Sequence, residues 1–199
     1  MKNRFGLSIA AAIMLSLVAC DKVKDSLPSI EIPVNQETSI TLNIPVGDTT
    51  FVISKQETIG VIKDLKDNAD KLESIQADSV TFDFSDLTGG AGGDGTNASF
   101  EGEIKTYVGS IADQNSILSL LIGSAGGGSG KVNLRTLVDQ PETTVSSANT
   151  EKIVDFINTL ATTGATLITQ VDGSAANTSS EAYNVKLTFT IHGKATAKP

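Results

Sequence analysis

The sequence predicts a mainly β domain, an antiparallel β-sandwich with one or two short packed helices, with an α+β arrangement as the neighbouring possibility. Three observations lead there. Apolar and polar residues alternate with a period of two in at least four segments, the pattern of strands with one buried and one wet face. Only two segments show the three-and-four spacing of an amphipathic helix. The stretch from residue 38 to residue 199 is roughly 160 residues long, enough for one domain with its own core.

Taken in chain order, Ile40, Leu42, Ile44 and Val46 alternate with Ser39, Thr41 and Asn43, a half-buried strand. Residues 50–54 are a shorter strand candidate. In ETIGVIKDLKDNADKLESI, residues 57–75, Ile62, Leu65, Ala69 and Leu72 form one apolar helical stripe. Val80, Phe82 and Phe84 then alternate with Thr81, Asp83 and Ser85. TGGAGGDGTN, residues 88–97, reads as a flexible hairpin loop, because glycine runs bury little and are costly to order. Beyond it, Phe100, Gly102, Ile104, Thr106 and Val108 face away from Glu101, Glu103, Lys105 and Tyr107.

Residues 117–122 and 132–138 are strand candidates joined by a second glycine-rich loop, GSAGGGSGK, residues 123–131. NTEKIVDFINTLATTG, residues 149–164, reads as a helix. Asn149 or Thr150 caps it, Ile153, Phe156, Ile157 and Leu160 form its stripe, and Gly164 ends it. Residues 165–171 are another strand candidate. The longest alternation comes last: Tyr183, Val185, Leu187, Phe189 and Ile191 against Asn184, Lys186, Thr188, Thr190 and His192. Each helix is thus followed by two strands, a unit that occurs twice without convincing sequence identity.

The first twenty residues are of a different kind. Lys2 and Arg4 precede a run, residues 5–19, that is apolar except for Gly6, Ser8 and Ser16. At about 15 residues this run is shorter than the roughly 20 needed to span a bilayer, so it reads as a secretory signal. It ends at Cys20, the only cysteine, which therefore has no internal disulfide partner. By residue type alone that cysteine serves as a nucleophile, a buried filler or a lipid attachment point.

Leu17-Val18-Ala19-Cys20 resembles the lipobox of bacterial lipoproteins. The resemblance implies cleavage between Ala19 and Cys20, a diacylglyceryl thioether on the Cys20 thiol, and an acyl group of the palmitate kind on the new amino terminus. It divides the chain into a signal peptide at 1–19, a lipidated tether at 20–37 and a globular domain at 38–199. Each buried methylene of such an anchor contributes about 0.8 kcal/mol, and one chain alone holds only marginally. The implied location is the bacterial cell envelope, outside the cytoplasm, with the outer membrane or cell surface favoured. Asp21 resembles an inner-membrane retention signal of some Gram-negative bacteria, a rule that differs between lineages. The globular part is similar only in general architecture to small β-sandwich lipoproteins of bacterial surfaces.

Loss of Lys2 and Arg4 would leave 13 basic against 23 acidic residues, a formal charge of −10. That balance argues against nucleic acid, which requires basic patches, and against a surface that hugs anionic headgroups. The partner implied is the membrane, through the Cys20 lipid, together with a protein or small ligand.

Several motif look-alikes are weak. AGGGSGK, residues 125–131, imitates a phosphate-binding loop, but Val132 stands where a hydroxyl should hold magnesium, and VNLRTLV reads as strand rather than helix. GGAGGDGTN, residues 89–97, fits one calcium nonapeptide, with Thr96 where a large apolar residue belongs and no second copy to complete a site. Asp86 and Asp94 offer at most a chance ion site. His192, the only histidine, falls on the polar side of its strand, and no G-x-S-x-G elbow accompanies it. Glu101 and Glu103 share a polar strand face, a carboxylate pair of the kind a glycosidase uses. Asp64, Asp67 and Asp70 interleave with Lys63, Lys66 and Lys71, giving Lys63–Asp67 and Asp67–Lys71 pairs on a solvated helix face. Without tryptophan, and with Tyr107 alone on a polar face, a glycan platform has little to stand on.

The reading that follows is a lipid-anchored envelope lipoprotein with a non-catalytic binding, display or structural domain. It is not read as an enzyme, and no catalytic, cofactor-binding or metal-binding residue is assigned. One alternative is a carrier of an apolar ligand, using space beside small inward residues such as Gly102 and Ala195. The other is a hydrolase dependent on the Glu101 and Glu103 carboxylates.

Overall fold

The computed structural model describes residues 28–109, 116–123, 130–145 and 148–198. The expected signal peptide at 1–19 and residues 20–27 of the expected tether, Cys20 among them, therefore lie outside the described residues, as do 124–129 of the second glycine-rich stretch. Among the described residues no helix is long and apolar enough to cross a membrane.

Among the described residues, nine strands form two packed antiparallel sheets. The first sheet has the order β1 (Ile30–Ile44), β9 (Tyr183–Ala197), β3 (Leu72–Gly89), β7 (Thr143–Thr144). The second has the order β2 (Gly47–Ile59), β8 (Ala165–Asn177), β4 (Ala98–Val108), β5 (Ser116–Ile122), with β6 (Val132–Asn133) also on β4. This is a β-sandwich. Among the described residues it carries three α-helices, α1 (Lys63–Asp67), α2 (Leu134–Val138) and α3 (Thr150–Thr162), one more than the upper number expected.

Of the consecutive strand pairs that cross from one sheet to the other, β1–β2, β3–β4 and β8–β9 turn at the same end. Their three corners meet at one end of the molecule, the corner pole. There Asn177, which is buried, donates from Nδ2 to the carbonyls of Ile44 (3.2 Å) and Glu181 (2.9 Å) and accepts from the Ser179 amide at 2.9 Å. The Gly90 amide donates to the Ala182 carbonyl at 3.0 Å, and the Thr178 amide to the Asn97 carbonyl at 2.9 Å. Chain turns at a buried corner expose unpaired backbone groups, and Asn177 satisfies them from one side chain.

The opposite end is the entry pole, where the first strand starts: Ile30 and Leu72 both pair with Ala197. Helix α3 packs against β3 of one sheet and against β5 and β8 of the other, so it closes the wedge between them. Its start is capped as expected, with Asn149 Oδ1 accepting from the Lys152 amide at 3.2 Å. Gly164 follows its end at φ +77°. The predicted stripe Ile153, Phe156, Ile157 and Leu160 is fully buried.

The alternation of β9 holds without a break: Tyr183 to Ala197 are buried at every odd position and half-buried at every even one. Val80, Phe82 and Phe84 of β3 and Phe100 and Ile104 of β4 join the same core. Four expectations are corrected. Residues 30–37, assigned to the tether, belong to β1 and pair with β9. The helix expected over 57–75 shrinks to α1 and a 3₁₀ turn at Ala69–Lys71; Ala69 is exposed and Leu72 opens β3. The strand at 132–138 is a two-residue bridge followed by α2, because Asn133 accepts from the Arg135 amide at 2.9 Å and starts a helix. The glycine-rich stretch at 88–97 is an inter-sheet corner rather than a hairpin loop, since β3 and β4 lie in different sheets.

Small residues let large ones in. At Gly102 a β-carbon would stand 2.9 Å from Phe100 Cζ and 2.6 Å from the Asp172 carbonyl oxygen; at Gly193 it would meet Ile157 Cδ1 at 2.6 Å. Packing at this density leaves no methyl-sized gap at either position.

Candidate functional site

The outer face of the first sheet holds a connected chain of polar side chains. Strand β9 presents His192, Thr190 and Thr188, flanked by Asn35 and Glu37 from β1, Thr81 and Asp83 from β3, and Glu142 beside β7. Asn35 Oδ1 lies 2.9 Å from His192 Nδ1, and Thr81 Oγ1 lies 3.1 Å from His192 Nε2. The Thr81 hydroxyl also donates to the Glu142 carboxylate. A hydroxyl, an imidazole and an orienting amide in line have the connectivity of a nucleophile, base and orienter. Here, however, a carboxylate can only accept, so the hydroxyl proton is directed to Glu142 and away from the ring. The cluster is thus a hydrogen-bonded surface chain whose histidine is half-buried on the polar face, where the period of β9 predicts it. Next to it, Glu37, Asp83, Glu142 and Lys186 line a shallow groove.

The second sheet carries the carboxylate pair. Glu101 and Glu103 stand two apart on β4, where Ser174 Oγ donates to Glu101 at 3.0 Å and Ser119 Oγ donates to Glu103 at 2.9 Å. Lys105 Nζ is 2.7 Å from Glu103. The hydrogen bond from Lys105, assisted by Ser119, holds the Glu103 carboxyl below the usual carboxylate range despite some burial, and Glu103 in turn raises Lys105. Glu103 is therefore held as the ionised member of an ion pair, whereas a general acid needs the opposite shift. Tyr107, expected on the exposed side of the same strand, is only 8 % exposed. The β4–β5 pairing shifts register between Thr106 and Tyr107.

The glycine-rich corner is built around a tyrosine. Gly90, at φ +63°, is buried, and a β-carbon there would stand 2.0–2.4 Å from the ring atoms and hydroxyl of Tyr183. One at Gly93 would stand 2.3 Å from the same hydroxyl. Only glycine tolerates both the left-handed backbone and the ring's approach. The Tyr183 hydroxyl is buried without a hydrogen-bond partner among the described residues. Asp94, exposed, bonds within its own loop, accepting from the Thr96 hydroxyl at 2.6 Å and amide at 3.0 Å, which lowers its pKa. Asp86 sits at φ +51° in β3. No three metal-ligating side chains group together among the described residues.

The remaining look-alikes resolve into local contacts. Lys131 lies 3.6 Å from Asp48, and although α2 follows it, that helix has five residues and the sheets are antiparallel. Lys63 pairs with Asp67 on α1, whereas Lys71 falls in the next 3₁₀ turn. Residues Asn35 and Glu142 lie outside what sequence reasoning singled out. Asn35 is 157 positions from His192 and Thr81 is 111 positions away, so only strand order brings them together.

No family model matches the chain, and no curated protein does. Among solved structures, a chain from Desmodium yellow mottle tymovirus aligns over 87% of this chain and 91% of its own, at 14% identity and a TM-score of 0.28. A likeness at that level carries no argument about function.

Proposed function

We propose that this protein is a lipid-anchored lipoprotein of the bacterial cell envelope whose domain binds, displays or supports rather than catalyses. The single observation that carries the reading is the ordered series of basic residues, apolar run, small residue and cysteine that ends at Leu17-Val18-Ala19-Cys20. The domain's chemistry is compatible with it. The Glu101 and Glu103 carboxylates are bonded to neighbouring side chains, and Thr81 directs its proton to Glu142. The close contacts at Gly102 and Gly193 leave no room for an apolar ligand beside either residue, which weighs against the carrier at those positions.

The test is metabolic acyl labelling of the wild type and Cys20→Ser, combined with protease shaving of intact cells. Label on the wild type that disappears in Cys20→Ser is expected, and an unlabelled wild type would sink the anchoring. Sensitivity to shaving separates a surface protein from one held inside the envelope. A native against denaturing mass comparison of the purified domain addresses the carrier: a co-purifying lipid would restore it.

A further inference from the structure

We propose that the entry pole faces the bilayer and that the corner pole is presented away from it; this rests on the Cys20 anchor proposed above. The chain enters the fold at Ile30, beside the C-terminal end of β9 and the turn after α1. Ser29 Oγ donates to Glu73 at 2.9 Å, and the Lys198 amide donates to the Lys71 carbonyl at 3.0 Å. From Cys20 to Ile30 there are ten residue steps, which reach about 35 Å when fully extended. Strand β1 then runs unbroken for 15 residues to the first corner, a length of about 46 Å.

Those two lengths decide between the end-on orientations. With the corner pole on the membrane, Ile30 would stand farther from the bilayer than the tether can reach. With the entry pole down, even a contracted tether suffices. A side-on orientation is opposed by charge: the mature chain carries a formal −10, and bacterial bilayers that contain anionic lipid repel it. The entry pole is the part that escapes this repulsion, since residues 63–73 with Lys198 carry four lysines and four carboxylates. The exposed Val46 turn, the Asp48–Lys131 contact and the glycine-rich corner are then what the envelope's aqueous space meets.

The experiment uses the full lipidated chain in phosphatidylethanolamine–phosphatidylglycerol vesicles that contain a rhodamine-labelled lipid. A donor dye is attached at Asp70→Cys, near the entry pole, or at Ser180→Cys, at the corner pole. Both positions are exposed, and with Cys20 acylated the introduced thiol is the only free one, because the chain has no other cysteine. Energy transfer to the bilayer is expected to be roughly twofold or more greater from position 70, given the strand length between the poles. Equal or reversed transfer from protein that floats with the vesicles overturns the orientation and leaves the anchor standing. Wild-type protein that neither takes acyl label nor floats overturns the anchor, and the orientation with it.

Discussion

The substitution Gly193→Ala tests whether α3 closes the wedge by resting on β9. A β-carbon at position 193 would stand 2.6 Å from Ile157 Cδ1 and 2.7 Å from the Gln76 carbonyl oxygen. Overpacking of this kind costs about 1–3 kcal/mol, offset by about 0.4–1 kcal/mol from the smaller entropy of the unfolded chain. A net loss of about 1–2 kcal/mol is expected, or a drop of about 2–8 °C in Tm for a domain of this size. Ile157→Val deletes the one methyl that collides and by itself costs about 0.5–1.5 kcal/mol. In the double variant the methyl clash is gone and the Gln76 carbonyl remains, so the combined loss is expected to fall short of the sum by about 0.5–1 kcal/mol. Urea denaturation of the Cys20→Ser domain, followed by far-ultraviolet circular dichroism, measures all three. Strict additivity would refute the reasoning, because it would mean that Ile157 does not occupy the space above Gly193.

Two further outcomes follow from the corner and from the second sheet. Tyr183→Phe removes a buried hydroxyl that has no partner among the described residues, so stability in the same urea assay is expected to stay within about 0.5 kcal/mol or rise slightly. A loss of more than about 1 kcal/mol would reveal a partner such as a bound water. Glu103, whose folded pKa lies below its unfolded one through Lys105 and Ser119, adds stability above the unfolded value, and that stability is lost as pH falls through the folded value. With both side chains of the Glu103–Lys105 pair more than a third exposed, the contribution is about 0.5 kcal/mol or less. Glu103→Gln should therefore lose stability at pH 7 and match the wild type at acid pH. A pH-independent difference would count against the ion pair as its source.

Local periods were legible where one element settles its own pattern. β9 needs only its alternation, and α3 needs only its stripe, the Asn149 cap and the Gly164 stop. Misreadings fell where two periods fit the same residues. In VNLRTLV the apolar positions satisfy both strand and helix, and the side chain of Asn133 decides by capping. At the start of β3, register shifts after Leu72 and after Ala77 break the alternation, so Leu65 to Leu72 resembled a longer helical stripe. Tyr107 is placed on the outer side by its parity in β4, but its burial comes from neighbours beside a register shift that local sequence does not disclose.

Cys20 and its setting are covalent and local, so the expected anchor is read from one short segment and owes nothing to the fold. The strand faces are likewise local, because side chains alternate with the backbone pleat. Strand order is different: the pairings of β9 with both β1 and β3 join residues more than ninety positions apart, and the backbone groups that form them are the same in every residue but proline. Only the tertiary structure could decide that Asn35, Thr81 and Glu142 surround His192, that Tyr183 fills the glycine corner, and that the first strand runs from the entry pole to the corner pole.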